Sequence, residues 1–275
     1  MNNATKLALF AVGVSLLSLI FVLWVNQEIS QLKPQASPQE PTRQETQTSE
    51  GPNVVELPEN LRHLSALTVQ VKTPFGEGSG LLVKSGDTPY CWTAGYLVEH
   101  LYYEEKEAGR KWNSASIIIP KGDGFCLIPA DVIRYSDPLA PALLRLRESL
   151  PLPVSTVFAE STPAVDTQVY HVGCFPPSSP SFTTKGTVTT IGEVYGGHTY
   201  DAVSQMGLSG SGGGGVFTKD GTCLGMMMLG RNAGDLILPA REIRQWAKDK
   251  NVLWALDSTA PMPSEEELKT IPIEG

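Results

Sequence analysis

Beyond residue 60 the chain is a succession of short aliphatic and β-branched runs, each closed by Gly, Pro, Asp or Asn, and this pattern restricts the fold more than anything else in the sequence. A first series comprises LTVQV at 67–71, GLLVK at 80–84, SIIIP at 116–120 and CLIPADVI at 126–133. A second comprises QVYHV at 168–172, TVTTI at 187–191, GVFT at 215–218 and CLGMMML at 223–229. Runs this short, rich in β-branched residues and separated by turn formers, predict an all-β sandwich or barrel. The exception is PAREIRQWAKDK at 239–250, which places Ile243 and Trp246 on one face with charges opposite and begins with a proline suited to a first helical turn.

The beginning of the chain is built differently. Residues 7–25, LALFAVGVSLLSLIFVLWV, carry no charge, and 19 residues at a helical rise just cross a hydrocarbon core. A cleaved signal peptide would have a shorter apolar region and a small-residue cleavage site. Here Asn26, Gln27 and Glu28 follow instead, so residues 1–25 are read as a single retained transmembrane anchor. Lys6 before the span and Glu28 after it place the bulk of the chain on the non-cytoplasmic side. Residues 26–60 are read as a disordered linker, because 26–52 is dominated by Gln, Glu, Pro, Ser and Thr and cannot bury enough surface to offset its ordering entropy. Residues 251–275, polar and proline-containing, are read as a C-terminal tail.

Composition excludes some functions. With 29 acidic against 21 basic residues and a net charge of −8, and no cluster of Lys and Arg, a nucleic-acid partner is not expected. Cys91, Cys126, Cys174 and Cys223 lie far apart, without a CxxC pair or a histidine at zinc-ligand spacing, so neither a metal nor another cofactor is expected. The cysteines read as buried thiols on strands; two disulfides are the alternative, with three pairings open.

Several motifs carry chemistry. GEGSGLLVKSGDTPYCWTAGYLVEHL (76–101) joins a G-S-G-hydrophobic start to a strand ending Thr93-Ala94-Gly95-Tyr96, and DPLAPALLRL (137–146) follows. Next come VYHVGCFPP (169–177) and TKGTVTTIG (184–192), then Asp201-Ala202, three residues, and Met206-Gly207-Leu208-Ser209-Gly210; GDLILPAREIRQW closes the series. In this order, over about residues 63 to 250, they resemble the trypsin-like serine peptidase family, including its bacterial periplasmic branch. The resemblance implies a domain at 61–250 made of two six-stranded antiparallel β-barrels, about 61–150 and 151–238, with the terminal helix at 239–250.

Carried over residue by residue, the resemblance puts Tyr96 at the general-base position and Ala140 at the orienting-acid position. A phenol is only about a thousandth ionised at neutral pH and does not accept a serine proton as an imidazole does. Asp137 falls on another, non-catalytic aspartate of the family. The upstream register, pinned by Asp201-Ala202, names Ser209 as the nucleophile position, with Gly207 and Ser209 as oxyanion donors. Counting back from Phe217 instead points to Gly212; the upstream register is preferred, with part of 212–215 as an insertion and Ser211 as the fallback.

A substitute base is poorly placed: His100 lies one helical turn beyond Tyr96, about 6 Å along an axis, too far for proton transfer. The leading expectation is therefore a membrane-anchored peptidase homologue without catalysis that binds a peptide or protein. An active serine endopeptidase using Ser209 with a relocated base such as His100 is the alternative, and a purely structural protein is the third reading.

Overall fold

The computed structural model describes residues 51–275 apart from 106–108, 113, 122–123, 151–154, 175–180, 232–233, 258, 265 and 268–275. The apolar span at 7–25 lies outside the described residues; among those described, no helix is long and apolar enough to cross a membrane. A short helix α1 (Leu64–Leu67) leads into β1 (Thr68–Thr73), β2 (Gly76–Ser85) and β3 (Thr88–Ala94). A ribbon of β4 (Tyr102–Glu105) and β5 (Gly109–Trp112) precedes β6 (Ala115–Lys121), β7 (Gly124–Arg134) and β8 (Pro141–Leu146). After β9 (Gln168–Cys174) come β10 (Ser181–Tyr195), β11 (His198–Val203), β12 (Gly215–Thr218), β13 (Cys223–Leu229) and β14 (Asp235–Pro239), then helix α2 (Ala240–Asp249).

These strands close two antiparallel six-stranded barrels, one in the order β1-β2-β3-β8-β7-β6 and the other β10-β11-β14-β13-β12-β9. Closure leaves no long unpaired edge in either sheet. Alternation drives it: on β7, Ile128, Ala130 and Val132 are buried while Pro129, Asp131 and Ile133 are half-exposed. On β13 the pattern is instead continuous, with Met226, Met227 and Met228 all buried, because α2 packs against this strand outside the barrel. The methionine run is core, not a binding surface.

Parts of two stretches expected to lie outside the domain, the linker to residue 60 and the tail from 251, take part in the fold. Val55 N–H donates to Thr183 O (3.0 Å) and Lys185 N–H to Asn53 O (2.9 Å), so the end of the expected linker pairs with β10. In the expected tail, Val252, Trp254 and Ala255 are buried, and Ala255 O accepts the Trp92 indole N–H at 3.2 Å. In the tail, Val252-Leu253-Trp254-Ala255-Leu256 is an unbroken apolar run that the overall polarity of 251–275 concealed. All four cysteines are free thiols, Cys91 and Cys223 fully buried.

Helix α2 is held on the second barrel by an ion pair that the Asp201-Ala202 motif supplies. Asp201, on β11, is buried and receives a two-pronged bond from Arg241 (Nη2–Oδ1 2.6 Å, Nη1–Oδ2 2.8 Å) and one from Gly192 N–H (3.0 Å).

Candidate active-site cleft

Three backbone segments meet here: the turn after β3 (Gly95–Leu97), the loop before β8 and the loop from β11 to β12. Gly95 N–H donates to Ala140 O at 2.9 Å and Tyr96 N–H to Pro138 O at 3.0 Å. The contact demands glycine, since a Cβ on Gly95 would lie 2.2 Å from Asp137 O. Tyr96 and Ala140 are thereby brought together. Ala140 is buried, and its methyl group can neither accept nor donate a hydrogen bond.

The β11–β12 loop is tied to the first barrel through β2. Ser79 N–H donates to Gly212 O (2.7 Å) and Ser79 Oγ to Gly210 O (2.6 Å). Gly213, at φ +85°, fits because a Cβ there would lie 2.0 Å from Ser79 O. These anchors aim Gly212 at the phenol: a Cβ on Gly212 would stand 1.5 Å from Tyr96 Oη. No side chain fits at 212 while Tyr96 holds this position. Burial pushes the Tyr96 phenol above its ordinary value near 10, so the hydroxyl is neutral at physiological pH.

The residue opposite Tyr96 is therefore Gly212, which the count back from Phe217 had indicated, and not Ser209. Ser209 is exposed on the turn that precedes Ser211. Ser211 is buried, and its Oγ accepts Leu208 N–H at 2.6 Å, a bond internal to the loop. The expected oxyanion donor Gly207 is also committed elsewhere. Its N–H donates to Asp235 Oδ2 at 2.5 Å, beside that of Met206 at 2.6 Å. Asp235, at the start of β14, is 2% exposed and was invisible in the sequence, where one acid before an apolar strand has no signature.

His100 does not approach Tyr96's role. It lies in a separate 3-10 turn (Glu99–Leu101), largely exposed, edge-on to Phe75 at 5.5 Å between ring centroids. His198 Nε2 sits 3.1 Å from Asp137 Oδ1, linking the β10–β11 hairpin to the loop before β8. His171 is buried in the second barrel, with Nδ1 3.0 Å from Gly215 O. Among the described residues, no group of three or more His, Cys, Asp or Glu is placed to hold a metal ion.

Comparison with known proteins agrees with this architecture. The pattern of the family described as "Trypsin-like peptidase domain" matches residues 78–226, more than half of the chain. Among solved structures, an inactive form of a serine-to-alanine variant of Rv3671c from Mycobacterium tuberculosis H37Rv is similar at 19% identity, with a TM-score of 0.52. That alignment covers 74% of this chain and 93% of the other. The serine endoprotease from Yersinia pestis is similar at 16% identity and a TM-score of 0.54, over 72% of this chain and 68% of the other. At such identities the likeness concerns the fold alone. No curated protein sequence matches the chain.

Proposed function

This chain belongs to the trypsin-like peptidase family, and from that premise we propose that it is a non-cleaving member, a membrane-anchored module that binds a peptide or protein in the cleft between its barrels. The observation that carries this reading is the fit of Tyr96 against Gly212. Cleavage by this family's chemistry needs a hydroxyl, a base to take its proton and an acid to orient that base. At the positions brought together here stand a glycine, a neutral phenol and an alanine. Loss of the nucleophile or the base alone lowers turnover about a million-fold in a comparable triad. Ser209 and Ser211 do not replace the missing hydroxyl, since neither stands opposite Tyr96.

Binding needs none of the lost groups. An extended peptide adds to exposed backbone through main-chain hydrogen bonds, whatever the state of the catalytic residues. The apolar span at 7–25 and the polar stretch after it would display such a cleft from a membrane, on the non-cytoplasmic side.

The test is to incubate the purified full chain, in detergent, with fluorescein-labelled denatured casein. The expected result is retention of labelled casein without new fragments. Fragments that accumulate in proportion to the protein, and vanish in Ser209→Ala, would contradict the non-cleaving reading. Absence of any retention would contradict the binding reading.

A further inference from the structure

The loop before β8 seats the Tyr96 turn, and the second barrel grips that loop at several points. Pro138 O and Ala140 O accept the N–H groups of Tyr96 and Gly95. Tyr200 Oη, on β11, donates to Leu139 O at 2.7 Å. Leu139 also lies against the β10–β11 turn, where a Cβ on Gly196 would stand 2.3 Å from its Cδ1. From α2, the Trp246 indole N–H donates to Ser136 Oγ at 2.9 Å, and Ser136 Oγ donates to Asp137 Oδ2 at 3.1 Å.

One contact in this grip carries a group that changes charge. His198, on β11, puts Nε2 3.1 Å from Asp137 Oδ1, which also accepts Leu139 N–H at 2.9 Å. The two side chains are 31% and 38% exposed, so solvent protons reach the imidazole while the pair stays formed. Histidine is the side chain whose charge changes between pH 5 and 8, and a carboxylate is not. With an imidazolium as donor the bond is charge-assisted, about twice as strong as its neutral counterpart.

The surroundings of the imidazole accommodate that charge. His198 shares a cavity of about 200 Å³ with Ala140 and with Glu242, Trp246 and Asp249 of α2. Two further carboxylates thus line the same space, and among the described residues no lysine or arginine does. Arg241, also on α2, is forked onto Asp201 and lies 3.8 Å from Glu242. The hairpin itself adds only phenols. Tyr195 is the register partner of His198, and Tyr200, 6.4 Å away between ring centroids, is pushed up to about 12 by burial and by the Asp137 charge.

We propose that His198 and Asp137 form a proton-operated latch between the barrels: protonation of His198 fastens the 136–140 loop to the second barrel and so steadies the Tyr96 turn against Gly212. Both are positioning residues, acting on the cleft through Pro138 O and Ala140 O. The latch tightens as pH falls through the titration of the imidazole and slackens as pH rises. Tyr200 and Trp246 keep the loop attached in either state. The latch needs no ligand, so it stands apart from the peptide-binding reading.

The test is hydrogen exchange on the full chain in detergent, at about pH 5.5 and about pH 8, corrected for the intrinsic exchange rate at each. The segment followed is 93–101, which carries the Gly95 and Tyr96 N–H groups. Its protection is expected to be about two- to fivefold higher at the lower pH, the range of a part-exposed ion pair. His198→Gln keeps an N–H donor for Asp137 but takes up no proton, and should hold protection at the higher-pH level throughout. Asp137→Asn removes the partner charge from the other barrel and should also abolish the difference; with the two variants on different barrels, misfolding of one leaves the other to decide. His100→Gln removes the titrating ring inside the measured segment and should leave the difference intact. A merely structural role for His198 would lower protection equally at both pH values and keep the difference. Equal protection of the unmodified chain at the two pH values, a difference that survives His198→Gln or Asp137→Asn, or one abolished by His100→Gln overturns the inference.

Discussion

His171 sits in the second barrel with Nδ1 against Gly215 O and no partner for Nε2, and burial pushes its pKa down to about 4. In the unfolded chain the imidazole takes a proton near its ordinary value of 6.5; in the folded chain it does so only around 4. Stability from this group is therefore complete above about pH 6.5 and is lost as pH falls toward 4, by about 2 kcal/mol between pH 7 and pH 5. Urea unfolding at those two pH values measures it. His171→Gln should remove most of the slope, and a slope unchanged in that variant would reject the assignment. The thiols make a second residue-scale expectation. Burial pushes Cys223 and Cys174 up to about 12 and Cys91 higher still, so of the two part-exposed thiols, Cys126 and Cys174, Cys126 should be the one that reacts readily with a thiol reagent at neutral pH. Rapid native reaction of more than one thiol would count against it. At this scale Tyr96 and Ala140 were legible in the sequence because rigid neighbours fix their register: Thr93-Ala94-Gly95 on one side and the Ala142-Leu143-Leu144 strand on the other. Gly212 was not. Four successive glycines carry no register of their own, and the Asp201 landmark used to count forward is fixed to Arg241, not to the loop.

Helix α2 shows how one such landmark works as an element. Its buried face, with Ala240, Ile243 and Ala247, packs on the second barrel, and Arg241 reaches the fully buried Asp201 carboxylate. Arg241→Met would leave that carboxylate without its cation, and breaking a buried pair from one side costs about 3–5 kcal/mol. Urea denaturation should show a loss of that size, and a loss well below 1 kcal/mol would mean the pair is not what seats the helix. The elements themselves were largely readable: GVFT is β12 and CLGMMML is β13, and the helix expected at 239–250 spans Ala240–Asp249. TVTTI proved to be the middle of the longer β10, because its first half pairs with β9 and its second half with β11 through two register shifts. The 53–55 pairing stayed hidden, since what recruits it is the partner strand, whereas the buried Trp254 sits in an apolar run at 252–256 that was passed over.

Across the whole molecule, two closed barrels keep the architecture of a peptidase while their meeting point holds a phenol against a glycine. Function resides in a site carried by the fold, so the proposed non-cleaving reading is compatible with the intact barrels. The central claim is that no serine of this chain is an activated nucleophile. Intact-mass spectrometry of the full chain after exposure to a fluorophosphonate probe tests it most directly. The account predicts an unchanged mass, and a stoichiometric adduct that maps to Ser209 or Ser211 would contradict it.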